Sequence, residues 1–165
     1  GLVLGAAALT ASAEEPKLEL KEYASKDGKY KVLLPGKVET RTEKDDDGPT
    51  ITTAFASAGK DRAFTVGHFD LPKPVTPEKA KEMLKDMTKP LKDKGVKVTY
   101  DKELTVGPDK LPASEYLIEF PAGPFPRQRQ LIAGNRMYTF NAVGPKEFVT
   151  SKEADKVFES FEVTK

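Results

Sequence analysis

Three arginines are the residues of this sequence best suited to bind a ligand. Arg127 and Arg129 stand two residues apart, and Arg136 follows in the same segment, RQRQLIAGNRMYTFNAVG. Guanidinium groups form paired hydrogen bonds with carboxylates and phosphates. The three arginines therefore indicate a contact with a small anionic ligand or an acidic partner surface. The structural alternative is that their stems cover a sheet while their charges pair across strands with Glu115 or Glu119.

His68 is the single histidine and the one candidate for a general base. The sequence contains no cysteine and no G-x-S-x-G, Walker A or G-x-G-x-x-G segment, so these nucleophile and phosphate-binding signatures are excluded. In AFTVGHFD, His68 alternates with Phe64 and Val66, which favours a histidine packed in a strand. A cell-envelope hydrolase that uses His68 with an unrecognised carboxylate stays the alternative.

The acidic residues do not have the spacing of a metal site or an acid–base pair. The start of an EF-hand loop is imitated by Glu43, Asp45, Asp47 and Gly48. Ala54 stands where the loop needs its bidentate Glu. Glu115 and Glu119 would lie about 13 Å apart along one strand, at about 3.3 Å per residue, whereas paired glycosidase carboxylates lie about 5–9.5 Å apart. We predict no catalytic residue, no metal and no cofactor.

Composition predicts one folded domain without a strong electrostatic field. The chain has 165 residues, and domains most often have about 100–150. Nine Phe and five Tyr supply apolar surface for a core. Because 27 basic and 26 acidic residues leave a net charge of +1, binding to nucleic acid is not indicated. We expect the partner to be another envelope protein or a small anionic ligand.

The N-terminal segment GLVLGAAALTASAEE is typical of the end of a secretory signal peptide. Its apolar run closes on Ala11, Ser12 and Ala13, so we expect residues 1–13 to be a signal-peptide remnant with cleavage before Glu14. A membrane-spanning helix needs about 20 apolar residues. We therefore expect an exported protein, periplasmic or extracellular, with no stable membrane anchor after cleavage and with residues 14–165 as one domain.

Strand patterns predict an antiparallel meander in the N-terminal half. Asp27 and Gly28 form a hairpin signal between KLELKEYAS and YKVLLP, and VETRTE follows as a third strand. Next, ITTAFASA and AFTVGHFD form another hairpin around Gly59-Lys60-Asp61-Arg62. Farther along, the strand ASEYLIEF divides into two faces, with Tyr116, Ile118 and Phe120 on one side and Glu115, Leu117 and Glu119 on the other. One of these faces is expected to be buried.

Two segments predict helices. The first has Thr76 as N-cap and Pro77 in its first turn, and Pro90 should kink or end it. Its apolar face is formed by Ala80, Met83, Leu84, Met87 and Leu91. The second has a capping box with Thr150 as N-cap and Glu153 three residues later. The apolar face of this second helix is formed by Ala154, Val157, Phe158 and Phe161.

The segment from Arg127 to Gly144 predicts a hairpin with a defined register. Gly134-Asn135 suits a two-residue turn, which places Leu131 opposite Tyr138 and Arg129 opposite Phe140. The aromatic side chains would then share a face with the arginines, where a guanidinium over a ring contributes about 0.5–1 kcal/mol. We expect this hairpin and the last helix to supply much of the core.

The segments DGKYKVLLPGK, GVKV and GNRMYTFNAVG, with a helix ending VFESFEV, resemble small exported bacterial proteins of the PsbP-like fold, planctomycete and cyanobacterial ones among them. This resemblance covers nearly all of the chain after Glu14. It implies the α+β class, as an α/β/α sandwich around a central, mainly antiparallel sheet. In that fold, the photosystem II subunit that names it binds at the lumenal face of its complex, and a nuclear member binds a small GTPase.

These binding roles favour an exported, non-catalytic binding or accessory module that acts through a protein surface. The envelope hydrolase is one alternative. The other alternative is a lumenal accessory protein of photosynthesis, which requires that the source organism be photosynthetic. The resemblance transfers no site residue to this chain.

Overall fold

A computed structural model describes residues 17–165, so the predicted signal peptide at residues 1–13 lies outside the described residues. The strands are β1 (Leu20–Ser25), β2 (Tyr30–Pro35), β3 (Val38–Lys44), β4 (Thr50–Ser57), β5 (Ala63–Asp70), β6 (Lys97–Val106), β7 (Leu111–Glu119), β8 (Arg127–Ala133), β9 (Arg136–Val143) and β10 (Glu162–Val163). The helices are α1 (Pro77–Asp86), α2 (Lys89–Asp93), α3 (Lys146–Val149) and α4 (Lys152–Glu159). Among the described residues, no helix has the length and apolar character needed to cross a membrane.

The strands form two antiparallel sheets. A seven-stranded sheet has the order β3-β4-β5-β9-β8-β7-β6, and a three-stranded sheet has the order β1-β2-β10. The α+β prediction with a mainly antiparallel sheet is confirmed, as are the hairpins β1–β2 and β4–β5. The continuous meander is wrong, because β2 and β3 lie in different sheets and β2 pairs instead with β10 near the other end of the chain.

The β8–β9 hairpin has the predicted register. Leu131 lies opposite Tyr138 and Arg129 opposite Phe140. The turn residue Gly134 has a φ of +62°, a left-handed conformation that glycine adopts without a steric penalty. The hairpin therefore places its aromatic side chains and arginines on the same face of the large sheet.

This inner face of the large sheet is covered by α4 and the small sheet. Phe140 lies 4.4 Å from Phe158 of α4 between ring centroids, and Tyr138 lies 5.9 Å from Tyr30 of β2. Phe161 stacks on Tyr30 at 5.5 Å. All five rings are buried, so the C-terminal hairpin and helix provide core as the sequence predicts.

The start of α4 differs from the prediction by one residue. Ser151 is the N-cap, and its hydroxyl accepts a hydrogen bond from the backbone N–H of Ala154 at 3.1 Å. Thr150 closes the preceding turn instead, donating its hydroxyl hydrogen to the Lys146 carbonyl at 2.7 Å. The chain makes this extra turn because α3 (Lys146–Val149) comes directly before α4, and a short helix of this kind leaves no clear sequence signal.

The outer face of the large sheet is covered over only part of its width. Helix α1 packs on β7 and β8, with Ala80 and Leu84 against Ile132 and Met137. The helix ends at Asp86 and a second one begins at Lys89, which confirms the break that the sequence predicts near Pro90. Thr76 caps α1 through a bond from the Lys79 N–H, as predicted.

The other part of the outer face, which we call the open half, carries small and polar side chains on β4, β5 and β9. Its residues are Thr53, Phe55, Thr65, Gly67, Thr139 and Asn141. Phe55 is 41% exposed, and the other five are half-buried. The structure thus leaves this part of the sheet accessible.

Candidate functional site

Two of the three predicted arginines meet on one buried carboxylate. Arg129 donates from Nε to Glu115 Oε2 at 2.7 Å, and Arg127 donates from Nε and Nη2 to Glu115 Oε1 at 3.1 and 2.9 Å. Arg127 also pairs with Asp155 of α4 at 2.6 Å. Lys102 of β6 approaches Glu115 Oε1 at 3.6 Å. We call these five residues the ion cluster.

The centre of the ion cluster, Glu115 with Arg127 and Arg129, is enclosed between the sheet and α4, whereas Lys102 and Asp155 are half exposed. Glu115 is 2% exposed. Burial disfavours its charged form, but the charges and hydrogen bonds of Arg129 and Arg127 outweigh burial and lower the pKa of Glu115 below its usual value. The two guanidiniums lie 4.3 and 5.3 Å from the centroid of the Phe158 ring. This arrangement matches the cross-strand pairing with Glu115 that the sequence allows as its structural alternative.

Arg136 lies apart from the other two arginines, at the turn end of the hairpin. Its guanidinium donates to Asp70 Oδ1 at 2.6 Å and to the Asp27 carbonyl at 2.6 Å. Tyr138 donates its hydroxyl to the Gly28 carbonyl at 2.7 Å. Arg136 and Tyr138 therefore attach the β1–β2 turn to the large sheet, and Arg136 shares no site with Arg127 and Arg129.

His68 is a packed strand histidine, as the sequence favours. It is 7% exposed and lies 6.0 Å from the Tyr30 ring and 6.3 Å from the Tyr138 ring. Its Nδ1 is buried without a hydrogen-bond partner among the described residues. Burial, with the nearby charge of Arg136, lowers the pKa of His68. Because Asp70 is bonded to Arg136, the geometry does not give His68 the orienting carboxylate that a hydrolytic base needs.

Glu119, the other carboxylate predicted on this strand, is held by two cations. Glu119 accepts from Lys146 at 2.9 Å and pairs with Lys97, and these hydrogen bonds lower the pKa of Glu119 to about 2. Within residues 17–165, no group of three metal-ligating side chains converges. The expectation of one buried face on ASEYLIEF is wrong, because β7 is buried on both faces while Phe120, just past its end, is 39% exposed.

Sequence reasoning missed a concave surface that the described residues form. This groove has a volume of about 740 Å³ and lies between the β4–β5 turn, the β7–β8 loop and the end of β9. Its lining residues include Phe55, Ala63, Pro124, Phe125 and Val143. The Phe125 N–H donates to the Gly144 carbonyl at 3.0 Å, which joins two of these segments. The rigid PAGPFP loop in the sequence could have indicated one wall of the groove. The other walls come from the β4–β5 turn and the end of β9, which only the folded sheet brings next to this loop.

The groove continues directly into the open half. Phe55 belongs to both surfaces, and Ala63 and Val143 are cross-strand partners at the groove end of β5 and β9. Polar groups at the rim are supplied by Ser57, Asp61 and Arg62, whose guanidinium lies 5.4 Å from the Phe148 ring centroid. An apolar concavity with a polar rim and an exposed aromatic ring has the composition of a site for protein or ligand binding.

No family model matches the chain, and no curated protein matches it. Among solved structures, the chain is similar to the solution structure of cyanobacterial PsbP, CyanoP, from Synechocystis sp. PCC 6803. The two share 14% sequence identity and a TM-score of 0.59, over 94% of this chain and 98% of the other. At this identity the similarity concerns the arrangement of the chain. The chain has the PsbP-like fold.

Proposed function

We propose that the protein is an exported, non-catalytic accessory module that binds a partner protein through the groove and the adjoining open half. The observation that carries this proposal is the groove of about 740 Å³ with apolar walls beside an exposed Phe55. Interface hot spots are formed by aromatic side chains at well-packed concave sites. Export rests on the A-x-A segment at residues 11–13.

The proposed occupant is a segment of the partner that presents an aromatic or branched aliphatic side chain. The groove walls at Pro124, Phe125 and Val143 would enclose such a side chain and remove it from water. The half-buried Asn141 of the open half donates to the hydroxyl of Thr65 at 3.0 Å, and their remaining hydrogen-bonding groups would pair with polar groups of the partner segment. The charged rim residues would face the edge of the contact.

The structural similarity to a cyanobacterial PsbP supports a second, more specific alternative, in which the accessory protein acts in the lumen in photosynthesis. The hydrolase alternative depends on His68, which is enclosed by Tyr30 and Tyr138. Of the three hypotheses, the binding module uses a surface that is accessible as it stands.

The test is a photo-crosslinking pull-down from envelope extract, with a crosslinking residue introduced at Ser57 on the groove rim. We expect one dominant partner, which is lost from the Phe55→Ser variant. Phe120→Ser is the matched control, because Phe120 is equally exposed, at 39%, and does not line the groove. The proposal fails if no partner is crosslinked, if both variants lose the same partner, or if Phe55→Ser loses nothing. If the crosslinked protein is a second copy of this chain, the proposal of a partner protein is wrong and the groove is a site of self-association.

A further inference from the structure

We infer that a small cavity beside the ion cluster binds a carboxylate group carried on a short aliphatic stem. The cavity has a volume of about 200 Å³. Its lining residues are Tyr100, Lys102, Glu115, Leu117, Arg127, Thr150 and Asp155. None of these residues lines the groove, so the inference does not depend on the proposed partner surface.

The charges around this cavity leave one cation available. Glu115 Oε1 already accepts two hydrogen bonds from Arg127, and Glu115 Oε2 pairs with Arg129 at 2.6 Å. Lys102 reaches Oε1 only at 3.6 Å, and its side chain is 56% exposed. The cavity lining has two cations, Lys102 and Arg127, and two anions, Glu115 and Asp155. Arg129, the third cation of the ion cluster, does not line the cavity, so the cluster as a whole keeps one positive charge that an anion at Lys102 would balance.

Two further lysines lie at the same end of the sheet. Glu119 is shared between Lys97 and Lys146, which again places two cations on one anion. Glu119 lies on the same face of β7 as Glu115. The attraction of an anion to the exposed ammonium of Lys102 should weaken with salt.

Tyr100 provides the second, independent observation. Its φ is +51°, a left-handed conformation that bulky side chains rarely adopt. It lies where the β6–β7 register shifts between Thr99 and Lys102, and the residue is 61% exposed. Strained backbone of this kind clusters at binding sites. The bulge places Tyr100 in the lining of the cavity together with Lys102.

Size and lining select the chemical class of the ligand. A cavity of about 200 Å³ holds about six or seven non-hydrogen atoms, at about 30 Å³ for each water-sized group. The exposed Tyr100 ring offers apolar contact to a stem, while Lys102 offers a single ammonium to a monoanion. Phosphate is favoured by a free guanidinium fork, but Arg127 already uses its fork on Glu115 and Asp155. A short-chain carboxylate fits, either as a free acid or as the glutamate side chain of a peptide.

Amide NMR titrations of the protein test the site with three probes at equal ionic strength. The probes are sodium pentanoate, an acetylated and amidated Ala-Glu-Ala peptide, and inorganic phosphate. We expect saturable shifts at Tyr100, Lys102 and Thr150 with a carboxylate probe, and weaker binding of phosphate. Tighter binding of pentanoate identifies a free acid as the ligand, and tighter binding of the peptide identifies a protein side chain. The inference is overturned if neither carboxylate saturates or if phosphate binds most tightly.

Variants separate this site from general charge attraction. Lys102→Met should weaken carboxylate binding about tenfold or more, because a hydrogen bond to a charged group is lost. Lys44→Met, at an exposed position of β3, is the matched control and should leave binding unchanged. If both substitutions weaken carboxylate binding equally, the binding is non-specific charge attraction and the inferred site does not exist.

Tyr100→Gly tests the role of the bulge. Glycine accepts a positive φ without strain, so this variant should unfold at a higher temperature while binding the carboxylate more weakly. A variant that gains stability and keeps its affinity would show that the Tyr100 conformation has no part in binding.

Discussion

The two faces of the large sheet are built on different principles. The inner face is closed: Phe140, Tyr138 and the guanidiniums of Arg127 and Arg129 all lie beneath α4 or the small sheet. On the outer face, α1 covers β7 and β8, and Phe55 stands in the open half. Most of the buried core lies on the inner face and a smaller part lies beneath α1, so substitutions in the open half should cost little stability.

The largest effect that separates the two faces should come from Phe158→Ala. Phe158 is fully buried between Phe140 and the two arginines, and its truncation should lower the free energy of unfolding by about 3–5 kcal/mol. Phe55→Ala, on the open half, should change it by about 0.5 kcal/mol or less. Urea denaturation measures both. Comparable losses for the two variants would remove the distinction between the faces.

Glu115→Gln should cost about 3–5 kcal/mol of unfolding free energy, because it leaves Arg127 and Arg129 without their buried counter-charge. Glu43→Gln, at an exposed position of β3, should have an effect of about 0.5 kcal/mol or less. The measurement is again the denaturation midpoint at neutral pH. If Glu115→Gln were as stable as the parent protein, the ion cluster would not contribute to the stability of the inner face.

A smaller effect should follow from uncapping the helix that covers the inner face. Ser151→Ala should destabilise the protein by about 1 kcal/mol, because the Ala154 N–H loses its acceptor. Thr150→Ala removes only the bond to the Lys146 carbonyl in an exposed turn and should cost less. Thermal unfolding of the two variants decides which residue is the N-cap, and a larger loss for Thr150→Ala would restore the original prediction.

The smallest effect concerns pH. His68 has a lowered pKa in the folded protein, so the unfolded state binds more protons and stability should fall as pH drops below the unfolded pKa of about 6.5. The charged groups around it are Arg136, Asp70 and Asp27. His68→Phe should lose this pH dependence between about pH 7 and pH 5.5, above the range in which carboxylates titrate. Denaturation midpoints at these two pH values measure it, and an unchanged slope in the variant would contradict it.

Local signals in the sequence were enough to predict most of the strands and the main hairpin. Gly134-Asn135 fixed the register of β8 and β9 because a two-residue turn leaves one pairing. Alternation placed Phe64, Val66 and His68 on one buried face. Such patterns depend on neighbours a few residues apart, which is why they could be interpreted without the fold.

The separation into two sheets could not be predicted in this way. β10 contains only Glu162 and Val163, too few residues to show a period, and its partner β2 lies about 130 positions earlier. The arginines illustrate the same limit for the site. The sequence allowed the arginines either to bind a ligand or to pair with Glu115. Only the position of α4 shows that Arg127 also pairs with Asp155 and lies over the Phe158 ring.

The attachment of the β1–β2 turn has a consequence for the order of folding. Arg136 and Tyr138 bind carbonyls of Asp27 and Gly28, and Thr164 donates to the Lys29 carbonyl at 2.8 Å. Each of these contacts joins residues more than a hundred positions apart, so the first hairpin cannot reach its final position until the C-terminal segments have been synthesised. The chain should therefore remain incompletely folded during synthesis, which is what the proposed export would require.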